Sequence, residues 1–182
     1  DATGTWYTLY GRNLGLDTRE LGAEWLRQGS IGAKFEYSRT PRDNPLTIMT
    51  GLQGIGTVNM VQSGTGAANT FPLREVQLGT HRDLLSLGFY KNLMPGLDLK
   101  VSFKNEEKDG TRHWGRGSAP TFAVEPINST TRQLETIFEY TTEKLQLAGG
   151  YYGSWYDTAN PLAWVATQGN AAGRGTVSAR NQ

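Results

Sequence analysis

Eight charged side chains occupy alternate positions in strand-like stretches, and their spacing limits the chemistry that they can do. Glu135 and Glu139 are four residues apart, which is about 13 Å along a strand. The paired carboxylates of glycosidases lie roughly 5–9.5 Å apart, so this spacing does not favour acid–base catalysis. We predict instead a surface that meets water or a protein partner. Its five acids and three bases are Glu24, Lys34, Glu36, Asp98, Lys100, Lys104, Glu135 and Glu139.

Metal binding has little support in the sequence. His81 and His113 are the two histidines, and the chain has no cysteine. A metal site would need further ligands, for example Asp83 or Asp109, which only the fold could bring close. The absence of cysteine also means that these residues contain no Cys-x-x-Cys-His haem attachment. We therefore predict no catalytic, metal-binding or covalent cofactor site in this chain.

The stretch 132–157 shows which element positions the charged residues. Leu134 and Phe138 alternate with Glu135 and Glu139, and a turn at 142–144 leads to a second alternating run. Successive side chains of a strand point to opposite faces, so this pattern predicts a hairpin with one apolar and one polar face. Each arm has about 9–12 residues, close to the roughly 9–11 that a tilted strand needs to cross a bilayer.

The same unit recurs along the chain. We predict strands at about 4–12, 18–28, 30–40, 82–91, 97–107, 132–141 and 145–156, with Pro41 ending the third because proline lacks a ladder donor. The face opposite the charges is predicted to meet lipid. Its residues are Leu21, Trp25, Ile31, Phe35, Leu85, Leu87, Phe89, Leu97, Leu99, Val101, Phe103, Leu134, Phe138, Leu145, Leu147, Tyr151 and Trp155.

The lengths of the connections favour a transmembrane barrel. Turns within the hairpins are short, whereas 41–81, 108–130 and 157–175 are long and rich in glycine or proline. Short turns on one side and long loops on the other are typical of outer-membrane barrels. We therefore predict an all-β fold, an antiparallel transmembrane β-barrel segment in a single domain over 1–182.

Composition agrees with this class and excludes others. The net charge of +1 gives no reason to expect nucleic acid as a partner. No apolar run approaches the roughly 18 residues of a spanning helix. About seven or eight strands, the last beginning near Thr176, would leave unpaired edges in lipid if the sheet did not close. We therefore expect the 182 residues to be part of a larger barrel.

Five short motifs, in this order, resemble the N-terminal part of the MtrB/PioB family of decahaem-associated outer-membrane β-barrels. They are GLDTR at 15–19, GIGT at 54–57, EPIN at 125–128, LQLAGGYYGS at 145–154 and NPLAW at 160–164. The resemblance covers most of the chain.

The resemblance implies a large barrel in the bacterial outer membrane that encloses a periplasmic multihaem c-type cytochrome. In such complexes an extracellular multihaem cytochrome often docks outside, and the partners carry the haem c. The eight charged residues would then contact the enclosed partner, and the long loops would meet the external one. The implied function is a sheath for electron transfer across the membrane.

Two other functions fit the same residues. A general diffusion porin would have a similar polar interior. A soluble β-sandwich binding module would use the apolar face as its core, and this alternative predicts a protein that needs no detergent.

Overall fold

The computed structural model describes residues 4–64, 70–114, 122–160, 163–167 and 170–177. The prediction of an all-β fold is confirmed. In chain order the strands are β1 (Thr5–Arg12), β2 (Glu20–Arg27), β3 (Ile31–Thr50), β4 (Asn59–Gln62), β5 (Arg74–Met94), β6 (Leu97–His113), β7 (Val124–Thr141), β8 (Gln146–Thr158), β9 (Ala163–Thr167) and β10 (Asn170–Val177).

Seven strands form one sheet in the order β1-β2-β3-β5-β6-β7-β8, and β10-β9-β4 form a second sheet. Residues of β1 and β2 pair antiparallel from Thr5 with Arg27 to Arg12 with Glu20. In the part of the chain that the structure describes, no helix is long and apolar enough to span a membrane.

The hairpin turns follow from their residues. Gly96 follows Pro95 between β5 and β6 and has φ of 82°, which is the geometry that a Pro-Gly turn provides. Gly29, with φ of 70°, serves the turn between β2 and β3. Thr142 closes the turn before β8 through its amide, which donates to the Leu145 carbonyl over 2.8 Å. All three lie where the sequence places short turns.

The predicted end of the third strand at Pro41 is wrong, because β3 continues to Thr50. The amide of Arg39 donates to the carbonyl of Arg19, and the β2–β3 register ends with Glu20 opposite Ser38. In a strand, every second amide points to the same side. The missing N–H of Pro41 therefore points to the side where β2 has already ended, and it costs no ladder bond.

The long connections are more ordered than predicted. β5, β6 and β7 all extend into them, and β4, β9 and β10 lie within them. Where a single domain was predicted, the chain divides into two compact units. We call them the sheet unit, residues 1–40, 82–107 and 130–157, and the cap unit, residues 41–81, 108–129 and 158–182. Most of the predicted last strand falls at 178–182, outside the described residues.

The cap unit has an apolar core. Leu52, Met60, Ala123 and Ala163 are buried together, with Trp114 packed against them. Thr50 is also buried, and its hydroxyl donates to the Phe122 carbonyl over 2.9 Å. In this unit β4 pairs parallel with β9, and β9 pairs antiparallel with β10. Residues that the sequence pattern predicts to be loops thus form a packed structure.

Candidate partner-binding face

The predicted charged residues lie on β2, β3, β6 and β7 of the sheet unit. In the β2–β3 register Glu24 stands opposite Lys34. The Nζ of Lys34 lies 3.0 Å from Oε1 of Glu36, and Nζ of Lys100 lies 2.7 Å from Oε2 of Glu139. Residues of opposite charge that the alternation puts on one face therefore do contact each other across and along the strands. We call the eight residues and their hydrogen-bond partners the polar face.

Uncharged polar residues complete this face, and among them Tyr90 and Asn92 were not predicted from the sequence. Asp98 accepts hydrogen bonds from the hydroxyl of Tyr90 and the side-chain amide of Asn92, each over 2.9 Å. The Ser102 hydroxyl lies 3.4 Å from Oε2 of Glu135. Ser102 sits on β6 in the same alternation as Asp98, so the period of two places it on this face.

Tyr10 is a further missed member of the polar face. Tyr10, Gly22 and Glu36 stand in one row across β1, β2 and β3. The Tyr10 hydroxyl reaches over Gly22 and donates to Oε1 of Glu36 over 2.9 Å. A side chain at position 22 would overlap the Tyr10 ring. Gly22 therefore provides the space that lets Tyr10 join β1 to β3.

We expect Gly22→Val to lower the stability of the sheet unit. The valine would displace the Tyr10 ring and break its hydrogen bond to the Glu36 carboxylate. This hydrogen bond is charge-assisted, but Tyr10 is exposed, so we expect a modest decrease in the free energy of unfolding. Urea unfolding of the detergent-solubilised protein would measure it.

Gly149→Val is the matched control, because it makes the same change in β8 where an added Cβ meets nothing within 4 Å. In addition, Tyr10→Ala should cost much less in the Gly22→Val background than in the parent. Equal unfolding midpoints for the two valine variants would show that the packing of Tyr10 over Gly22 does not contribute to the free energy of unfolding.

Lys104 also belongs with these residues. A shallow cavity of about 330 Å³ is lined by Lys104, Tyr10, Glu36 and Ser86. The polar face thus pairs most of its acids with bases or hydroxyl groups. Such a surface suits contact with water or with a polar protein surface better than strong selection of one sign of ion.

The apolar residues lie on the opposite face of the sheet unit, and none of the seventeen is buried. Leu21, Leu87, Phe89, Phe138, Leu145, Leu147, Tyr151 and Trp155 are exposed. A sandwich would cover one such face with a second sheet, whereas the described strands of the sheet unit all belong to one sheet. The sheet unit thus leaves its apolar face open, as lipid contact requires, and the assignment of this face to lipid stays a prediction.

A groove shapes part of the apolar face. Its walls include Tyr7 and Leu9 on β1, Trp25 on β2, Phe35 on β3 and Phe89 on β5. Ala23 and Ala33 stand between these larger side chains, opposite Phe35 and Trp25 respectively. Small residues beside large ones therefore make this face of the sheet uneven.

The histidines do not converge on a metal site. Nδ1 of His81 lies 3.9 Å from Oδ1 of Asp109, while His113 packs edge-on against Phe122 with ring centroids 5.4 Å apart. Among the described residues, no three His, Asp or Glu side chains are grouped to hold a metal ion.

Comparison with known proteins identifies the family of this β-sheet chain. The family described as the outer membrane beta-barrel porin MtrB/PioB matches residues 1–182. No curated protein matches the chain. The family is a porin family of the bacterial outer membrane, which is not a class of enzymes, and the predicted location is confirmed. An all-β chain with one polar and one open apolar face, matched over 1–182, belongs to the MtrB/PioB family of outer-membrane β-barrels.

Proposed function

We propose that this chain forms part of a barrel wall that encloses and positions a multihaem c-type cytochrome for electron transfer across the outer membrane. The polar face is the observation that carries the proposal. Lys34 pairs with Glu36 and Lys100 pairs with Glu139, while Asp98 is held by two hydrogen bonds. These bonds fix the charges in place, so a polar partner can dock against a preorganised wall.

The chemistry of electron transfer belongs to the partner in this proposal. The haem c groups are carried by the cytochrome, and the wall excludes lipid from around them. The chain itself takes no catalytic step. The cap unit, which contains the predicted external loops, is the part that we propose meets an extracellular multihaem cytochrome.

Co-purification of haem tests the sheath function. We expect the full-length protein, extracted from native membranes in detergent, to elute with a c-type Soret band in a fixed ratio to protein. A c-type cytochrome identified in the same peak would give the partner. Protein that elutes without haem from cells expressing the complete complex would reject the sheath proposal.

The diffusion porin is the second candidate, and the family description favours it. Conductance in planar bilayers separates the two, because an open lumen passes ions whereas a filled one does not. Haem-free protein with steady open conductance would support the porin. A haem-containing complex with little conductance would support the sheath.

A further inference from the structure

A cavity of about 350 Å³ lies within the cap unit, and none of its lining residues belongs to the polar face. Three cationic side chains line it, those of Arg42, Lys108 and Arg112, and Asp43 is the one acid in its lining. The hydroxyl-bearing residues Thr80 and Thr111 also contribute to its wall. The cavity is therefore polar, and its cations outnumber its acids.

Two of these cations have no anionic partner in the part of the chain that the structure describes. Neither Arg42 nor Lys108 forms an ion pair there, whereas nearby His81 lies against Asp109 and Arg112 pairs with Glu125. Unpaired cations gathered around one cavity repel each other, and a bound anion would relieve that repulsion. Asp43 offsets only part of the positive charge.

Arg112 is held in a fixed orientation at the edge of this cavity. Its Nε and Nη2 donate to Oε2 of Glu125 over 3.1 and 2.7 Å. Glu125 is buried, with 1% of its surface exposed, so it anchors the guanidinium from one side. The other guanidinium nitrogen, Nη1, makes none of these bonds and stays available to an oxyanion, for which the planar fork of arginine is well suited.

Gly79 keeps the cavity open. A Cβ at this position would lie 3.1 Å from Oδ1 of Asp43 and 3.5 Å from the carbonyl oxygen of Arg42. A larger side chain would fill the space between β3 and β5 that the cavity occupies. The cavity volume thus depends on a residue without a side chain, which lies beside cations that form no ion pair with the described residues.

We propose that this cavity binds a phosphate group, either free inorganic phosphate or the phosphate of a lipid headgroup. Arg42, Lys108 and the free edge of Arg112 supply the donors, and the threonine hydroxyls add neutral ones. The site shares no lining residue with the polar face, and this chain supplies all of its donors.

Phosphate titration of the full-length protein in detergent micelles, at constant ionic strength with chloride as the balancing anion, tests this site. We expect saturable binding of inorganic phosphate by calorimetry. The double variant Arg42→Gln/Lys108→Gln should weaken it by about tenfold or more, because it removes two charge-assisted hydrogen-bond donors. Arg112 is left unchanged because its loss would leave Glu125 unpaired.

Two further variants keep the result interpretable. Lys144→Gln removes one charge from an exposed hairpin turn and should bind phosphate like the parent. Gly79→Val keeps every charge but fills the cavity, and it should also lose binding. Equal phosphate affinity in the parent and in the double variant would overturn the proposal.

Short-chain phosphatidic acid, used below its micelle concentration, identifies the source of the phosphate. Tighter binding of this lipid than of inorganic phosphate, lost in the double variant, would assign the site to a lipid headgroup. Equal binding of both, again lost in the double variant, would assign it to the free anion. Because neither titration needs a cytochrome, failure here would leave the sheath proposal standing, and absence of haem would leave this site standing.

Discussion

Val101→Lys is expected to prevent assembly of the protein in the outer membrane. Val101 lies on β6 within the apolar alternation, and it lines a shallow depression together with Trp25 and Phe89. If this face meets lipid, the lysine ammonium would enter hydrocarbon. A lysine on the lipid face of a barrel costs roughly 2–4 kcal/mol at the bilayer midplane, which lowers the ratio of folded to unfolded protein by about 30-fold or more.

Ser102→Lys is the control, since it places the same side chain on the next residue and therefore on the opposite face. Its ammonium would lie beside Glu135, whose carboxylate already contacts Ser102. Outer-membrane fractionation of cells expressing each variant would show the difference. Equal assembly of both variants would contradict the assignment of the apolar face to lipid. Soluble Val101→Lys protein would instead favour the β-sandwich.

The parts of the fold that could be predicted from the sequence are those with a strict period of two. β2, the first part of β3 and the first part of β6 carry alternating charged and apolar residues. In these strands one face is polar and the other apolar, so a shift by one residue would exchange all side chains between faces. That pattern defines the strand, its register and its two faces together.

The cap unit was missed because its strands lack that period. Val124, Glu125 and Ile127 on β7 are all buried, so both faces of this segment are covered and the alternation disappears. Pro41, which was predicted to end a strand, is accommodated because β2 has already ended beside it. The buried residues of the cap unit are covered by segments that are far apart in the chain, so a local sequence pattern cannot predict their burial.

Long-range partners explain what was missed on the polar face. Tyr10 and Glu36 are 26 residues apart, and their contact depends on the register of three strands and on the missing side chain of Gly22. A tyrosine in an aromatic-rich strand gives no local sign of such a contact. The sequence allowed the charged residues to be assigned to one face of the sheet, whereas it did not allow their hydrogen-bond partners to be predicted.

The second large effect is expected at the ion pair of the cap unit. Arg112→Met should strongly destabilise this unit, because it leaves the Glu125 carboxylate buried without its cation. Removing one partner of a buried pair costs roughly 3–5 kcal/mol. Glu125 is 1% exposed at its side chain, whereas Arg112 is 53% exposed, so the lower end of that range is expected. Hydrogen exchange of amides in residues 123–127, measured by mass spectrometry, would report the loss.

Replacing Arg112 and replacing Glu125 should not cost the same stability, and the difference between the two variants tests the role of the ion pair. Glu125→Gln removes the buried charge and leaves Arg112 free to hydrate, so we expect a much smaller loss than for Arg112→Met. The double variant Arg112→Met/Glu125→Gln should recover most of the stability lost in Arg112→Met, because no charge then remains buried. If the arginine variant alone were as stable as the parent, the carboxylate would have to reach water in the folded protein. The close pairing with Arg112 would then not be what keeps Glu125 in the interior of the cap unit.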